Sequence, residues 1–295
     1  MSDPEIGALR AKILARPVTT DIGERRKNMD ARGLAYTLAS DVTVETVSAN
    51  GVPAEWTATP GVARDAAILY FHGGGYVIGS LDSHRHMVSE AGRAANCVAL
   101  ALDYRLAPEH PFPAPVEDAV SAYRYLLAHG FKPERVALAG DSAGGGLVVA
   151  AMVAIREADL PQPGCGWALS PWIDMEAIGE SMESKAAADP SVQKPGILDM
   201  ARLYLGGADP RSPLAAPLYA DFTGLAPLLI QVGAAETLLD DAIRLAQKAG
   251  AADVFVDLQI WPEMVHVWPL YWPELKAGKR ALDDAGAFVR RTLKT

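Results

Sequence analysis

The stretch Gly140-Asp141-Ser142-Ala143-Gly144 sets a serine between glycines, after the apolar run Val136 to Ala139 and before the apolar stretch Leu147 to Ile155. A buried strand that turns through glycine into a helix is the setting in which G-x-S-x-G presents a nucleophile. The glycines allow a sharp bend, and the Ser142 hydroxyl is set at a helix N-terminus whose dipole favours negative charge. Taken alone, the same five residues also suit a helix-capping serine beside turn glycines. The chemistry is therefore decided by partners. A serine hydroxyl is a poor nucleophile unless a base stands within hydrogen-bond reach, held in the right tautomer by a carboxylate.

In the serine-carboxylate-histidine order of this strand-turn-helix arrangement, the base comes last. Of the six histidines, only His266 follows the last apolar run, in Pro262-Glu-Met-Val-His-Val-Trp268. The acid should follow the preceding run, where Val232-Gly-Ala-Ala-Glu236-Thr-Leu-Leu-Asp240-Asp241 offers three carboxylates. Asp240 and Asp241 also read as first-turn acids of the helix that continues through Ala246, satisfying its free N–H groups. Glu236 has less of an alternative role. A further loop, His72-Gly73-Gly74-Gly75-Tyr76, follows another apolar run. Consecutive glycines can aim backbone N–H groups at one point, which suits an oxyanion hole completed by the N–H of Ala143.

These groups need a scaffold. Val42 to Val47 and Val52 to Trp56 alternate around Asn50-Gly51, a hairpin signal at a sheet edge. Continuous apolar runs follow at Ala67 to Phe71, Cys97 to Leu102, Val136 to Ala139, Gly166 to Leu169, Leu228 to Val232 and Val254 to Ile260, separated by helical patterns. Such runs signal strands buried on both faces of a parallel sheet. A hairpin and six of them make an α/β fold with a mostly parallel eight-stranded sheet and flanking helices. Between Trp172 and Pro227 the rhythm breaks: only helical pieces, Ile178 to Ala187 and Ile197 to Leu205, and turn-rich sequence appear. An insertion there lies over the site in folds of this kind. The first forty residues carry two helical patterns, Ile6 to Leu14 and Ile22 to Arg32, which read as too polar for core.

The chain has 295 residues, half of them hydrophobic, enough for one large core. A net charge of −9 without any basic cluster argues against nucleic acid or an anionic membrane as partner. Cys97 and Cys165 lie in apolar runs and read as small core residues, consistent with a reducing compartment. No signal-peptide pattern opens the sequence and no stretch has the length of a membrane span, so a cytoplasmic location is expected.

Together with Phe71 to Ser83, the block Asp103-Tyr-Arg-Leu-Ala-Pro-Glu-His-Pro-Phe-Pro-Ala114, the Gly-Asp-Ser-Ala-Gly elbow and Ser212-Pro-Leu-Ala-Ala-Pro217, the chain resembles the bacterial hormone-sensitive-lipase family of α/β-hydrolases over residues 40 to 290. The resemblance implies an esterase with a Ser142, Glu236, His266 triad, Glu236 standing where the family has aspartate and Asp240 at the family's second acidic position. It implies oxyanion donors at Gly74, Gly75 and Ala143, and no metal or organic cofactor. A helical cap would comprise residues 1–40 and 175–215, over a catalytic core of 41–174 and 216–295. Homodimers through the last strand and a small-molecule ester substrate are further expectations. Arg105 and Glu109 read as stitching loops beneath the site. Tyr76, Trp172, Tyr204 and Trp268 are candidates for lining the substrate pocket, with core packing the alternative for each. A lactone hydrolase would use the same groups; a non-catalytic receptor of this fold would lack the histidine.

Overall fold

The structure is a computed structural model and describes residues 4–295; Met1 to Asp3, part of the first stretch assigned to the cap, lie outside the described residues. The helices are α1 (Pro4–Leu14), α2 (Ile22–Leu34), α3 (Leu81–Ala95), α4 (Ala114–Ala128), α5 (Ala143–Glu157), α6 (Ser181–Ser184), α7 (Lys194–Leu205), α8 (Leu239–Ala251) and α9 (Lys276–Leu293). The strands are β1 (Thr43–Ala49), β2 (Val52–Ala58), β3 (Ala63–Phe71), β4 (Cys97–Leu102), β5 (Val136–Asp141), β6 (Cys165–Leu169), β7 (Leu228–Gly233) and β8 (Val256–Trp261). They form one eight-stranded sheet in the order β1-β2-β4-β3-β5-β6-β7-β8. The β1-β2 hairpin is antiparallel and joins β4 antiparallel, whereas every pairing from β4 to β8 is parallel.

Because side chains alternate along a strand, each apolar run feeds two cores. Leu69, Phe71 and Leu138 face α4, α5 and α8, and Ile68, Tyr70 and Ala139 face α1, α3 and α9. The parallel strands β3 to β7 are buried along most of their length, as continuous apolar runs require. β8 departs from that expectation: its residues are half-buried or exposed, with Ile260 and the preceding Phe255 open to solvent. Ending the sheet, it has one neighbouring strand.

Three other expectations change. Although α1 is rich in charge, Ile6, Leu9 and Ile13 form a stripe at helical spacing that is buried in the core with Met87 and Leu275; three apolar residues on one face suffice. α2 keeps to the polar reading, with only Gly33 buried. In the insertion, the helix expected from Ile178 to Ala187 shrinks to α6. Asp174 accepts from the N–H groups of Glu176 and Ile178, and Asp189 from those of Ser191 and Val192. Such side-chain-to-backbone bonds compete with helix formation. α7 starts earlier than expected because Pro195 suits a helix's first turn.

Candidate active site

The parallel register brings the carboxyl ends of β3 and β5 together, with Phe71 beside Gly140. The chain then bends at Ser142, which has φ 55° and ψ −120°. A non-glycine residue there stores about 1–3 kcal/mol of strain. Three backbone bonds hold it: the Ser142 N–H donates to Leu169 O at 2.8 Å, and its carbonyl accepts from Gly146 and Trp172, each at 3.0 Å. The approach is too close for side chains. A Cβ on Gly144 would lie 2.0 Å from the Phe71 carbonyl oxygen, and one on Gly140 2.5 Å from that of Gly144.

His266 lies in the loop after β8, its side chain 11% exposed. Its Nδ1 is 2.9 Å from Glu236 Oε2 and its Nε2 2.9 Å from Ser142 Oγ. An ionised carboxylate only accepts, so the proton sits on Nδ1 and Nε2 is free to accept from the serine hydroxyl. Glu236 is fully buried, and its Oε1 accepts from the Ser170 hydroxyl at 2.7 Å and the Gly233 N–H at 2.6 Å. Ser170 also accepts from Val267 N–H, so one hydroxyl ties the acid to the histidine loop. Burial raises the Glu236 pKa, partly offset by His266. Burial disfavours protonated His266, but its bond to Glu236 and the negative charge there outweigh this and raise its pKa.

The other two carboxylates go elsewhere. Asp240 accepts from Ser181 N–H, and its own N–H donates to the Ser181 hydroxyl. Asp241 accepts from Ile173 and Asp174 N–H groups and from Arg244. Both lie in the first turn of α8, but they bind the insertion, correcting the expectation that Asp240 would satisfy the helix's own N–H groups; no side chain caps that end.

Facing Ser142 is the glycine loop. Gly74 and Gly75 take φ of 121° and 63°, and the Gly74 carbonyl accepts from Val77 and Ile78, a tight turn open to glycine. Ala143, Gly144 and Gly145 open α5, where N–H groups have no intrahelical acceptor. Asp141, unassigned from sequence, joins the two halves: it accepts from Gly73 N–H at 3.1 Å, Tyr70 hydroxyl at 2.8 Å and, at 3.4 Å, His84 Nε2. Burial would raise its pKa, but His84 and Tyr70 outweigh that and lower it. The signal was available as the one charge inside the glycine elbow. His72 is no rival base: its Nδ1 donates to the Gly73 carbonyl and its ring stacks on Tyr104, whereas Ser142 Oγ bonds to His266; burial and His84 also push its pKa down to about 4.

Tyr76, Tyr204 and Trp172 stand together: the tyrosine rings stack 3.8 Å apart at 10°, and Trp172 is 6.0 Å from Tyr76. Trp268 does not join them. It is buried in the opposite core against Trp261 and donates to Ala277 O, because its loop turns under the sheet. α7 lies against the glycine loop, where a Gly75 Cβ would meet Met200 Sδ at 2.1 Å. From α2, Arg26 donates to the carbonyls of Val77 and Ala107 and pairs with Glu109. Arg105 pairs with Asp118 and Glu117. Arg105 thus ties its loop to α4, and Glu109 ties its loop to α2, so each joins a loop to a helix where loop-to-loop stitching was expected.

The sheet order and this serine site define an α/β-hydrolase. A family profile described as alpha/beta hydrolase fold matches residues 68–270. The chain is 44% identical to an acetyl-hydrolase of Streptomyces hygroscopicus, over 98% of this chain and 97% of that one. It is 36% identical to the esterase LipI of Mycobacterium tuberculosis, over 81% and 77%. Among solved structures, an esterase from the bacterial hormone-sensitive-lipase family superposes with a TM-score of 0.97 at 52% identity, covering 99% of both chains. The esterase EstE5, soaked with p-nitrophenyl butyrate, superposes at 0.96 with 47% identity over 100% of both. The chain belongs to the hormone-sensitive-lipase family of α/β-hydrolases and is a carboxylic ester hydrolase.

Proposed function

We propose that this chain hydrolyses short-chain carboxylic esters by a serine mechanism through an acyl-enzyme. Ser142 Oγ attacks the ester carbonyl as His266 Nε2 takes its proton, while Glu236 orients the ring and favours the imidazolium that forms. The N–H groups of Gly74, Gly75 and Ala143 donate to the oxyanion. His266 passes the proton to the leaving alkoxide, which departs as alcohol; the same nitrogen then takes a proton from water, whose oxygen attacks the acyl carbon, and returns it to Ser142 Oγ as the C–Oγ bond breaks and the carboxylic acid leaves. The observation that carries this reading is the pair of 2.9 Å contacts from Ser142 to His266 and from His266 to Glu236.

Tyr76, Trp172 and Tyr204 are proposed to wall the acyl side; they are at most 1% exposed, and Met200 closes the space above Gly75. A long acyl chain finds little room there, so a p-nitrophenyl butanoyl ester should be hydrolysed at least about 10-fold faster, in kcat/KM, than the hexadecanoyl ester. Rates for an acyl series beside a few lactones test this, and a faster hexadecanoyl ester contradicts it. A lactone preferred over every open ester would shift the assignment to lactone hydrolysis.

The N-terminal residues 1–40 and the insertion 175–215 are proposed to form the cap over this site. Arg26, by binding two carbonyls of the loops beside Gly75 and Tyr76, supports it. Arg26→Ala should lower stability by about 1–2 kcal/mol and turnover roughly 10-fold through a displaced glycine loop. Thermal unfolding and turnover equal to the parent's would remove α2 from the cap.

A further inference from the structure

One buried carboxylate near the imidazole has no part in the reaction as written. Asp189 lies in the insertion and is 3% exposed. Its Oδ1 closes its own loop on Ser191 and Val192 N–H, at 2.8 and 3.0 Å. Its Oδ2 reaches the hydrolase core and accepts from Thr237 N–H at 2.9 Å and from the Thr237 hydroxyl at 3.2 Å. Thr237 follows Glu236 directly. The same turn is held by Ser181, whose hydroxyl donates to the Thr237 carbonyl at 2.6 Å. Among the described residues no lysine or arginine pairs with Asp189; Arg10 lines the same surface cleft but donates to the Glu263 carbonyl. A buried carboxylate without a cation is costly, and its four hydrogen bonds offset only part of that. All of the Oδ2 bonding is spent on the residue beside the acid.

We propose that Asp189 is a positioning residue for the triad: from the insertion it holds the Glu236–Thr237 turn so that Glu236 reaches His266, and its negative charge joins that of Glu236 in favouring the imidazolium. This rests on the serine-esterase reading. The insertion thereby becomes part of the acid's support as well as a cover for the site.

The charged groups acting on His266 are Glu236 after β7, Asp189 from the insertion and Asp141 at the end of β5, and all three favour its protonated form. Neutralising Asp189 therefore lowers the His266 pKa. His266 must be neutral to act as base, so the acid limb of kcat/KM moves to lower pH. A residue that merely held the loop would act on the limb through Glu236 alone, and equally whether or not the charge at position 189 is kept.

The test compares Asp189→Asn and Asp189→Glu with the parent on p-nitrophenyl acetate, following kcat, KM and the acid limb. Asp189→Asn should lose on the order of 10-fold to 10²-fold in kcat, as a slightly misplaced triad does, with KM within about twofold and the acid limb at lower pH. Asp189→Glu keeps the charge but displaces the turn, so it should lose kcat while moving the limb less than Asp189→Asn does. A folded Asp189→Asn with parental kcat and limb overturns the inference, as does an Asp189→Glu limb displaced as far as that of Asp189→Asn. If Asp189→Asn cannot be obtained folded, Asp189→Glu decides alone, and parental kcat there overturns the inference. A parent inert toward every ester removes the serine-esterase reading and this inference with it; an active parent with unchanged variants removes the inference alone.

Discussion

Ser142→Ala is expected to lower ester turnover on the order of 10⁶-fold, because the members of a triad act as a unit and without the oxygen only binding and the oxyanion donors remain. His266→Ala should fall by a comparable factor. Stability should separate from activity. The Ser142 side chain caps none of the N–H groups of α5, and its hydroxyl bonds to His266, so alanine should change unfolding by no more than about 0.5 kcal/mol. Glycine sharpens the contrast. At φ 55°, ψ −120° it relieves strain of about 1–3 kcal/mol, against an entropic cost of about 0.5–1 kcal/mol. Ser142→Gly should therefore be as inactive as alanine and more stable than the parent. Turnover of either variant within tenfold of the parent, in protein free of wild-type enzyme, would remove Ser142 as nucleophile.

What was legible in the sequence follows from how local each signal is. The elbow and the glycine loop were readable because a backbone packed so closely that an added Cβ would lie 2.0 Å from a neighbouring carbonyl, or one that takes positive φ, selects glycine at the position itself. The strands were readable because burial on both faces demands an unbroken apolar run. β8 deceived for a reason that no run of residues records: whether a strand has a second neighbour is decided by sheet order. α1 deceived because its charged residues drew the eye while three apolar residues on one face, Ile6, Leu9 and Ile13, do its packing. The insertion lost most of a helix to the carboxylates of Asp174 and Asp189, which accept from N–H groups two to four residues away while the fold also ties them to Arg244 and Thr237. The placement of Trp268 on the far side of the sheet, and the union of Arg26 with Glu109 instead of Arg105, are likewise long-range facts.

The supports of the site share a feature that only the fold reveals. Asp141 joins the Ser142 elbow to the glycine loop, and Ser170 joins Glu236 to the histidine loop. Each is a buried polar group at the carboxyl end of a parallel strand or just beyond it. Such a group must find partners or lower stability, and the nearest ones belong to the neighbouring loops. The requirement to satisfy buried polar atoms thus fixes distances between groups far apart in the chain, including the 124 residues that separate Ser142 from His266.

Glu236→Gln should lower turnover by roughly 10⁴-fold, the scale seen when a triad acid is made neutral, and the contacts of the carboxylate give the reason. Its Oε1 accepts from the Gly233 N–H at 2.6 Å, a backbone donor that cannot reverse its role. In glutamine the carbonyl oxygen must keep that place, so the NH₂ group turns to His266 Nδ1, where Oε2 now lies 2.9 Å away. Nδ1 must then accept, and the ring proton moves to Nε2, which can no longer take the proton of Ser142. Stability should change little, because removing a charge whose pKa burial already raises also removes its desolvation cost. Asp240→Asn makes the contrasting variant. It weakens the bond from Ser181 N–H on the half-buried first turn of α8, which should cost about 1 kcal/mol or less and leave most of the turnover. Measured together by turnover and thermal unfolding, the two variants assign the acid: if Asp240→Asn loses turnover heavily while Glu236→Gln remains active, the acid is Asp240 and Glu236 is a supporting residue.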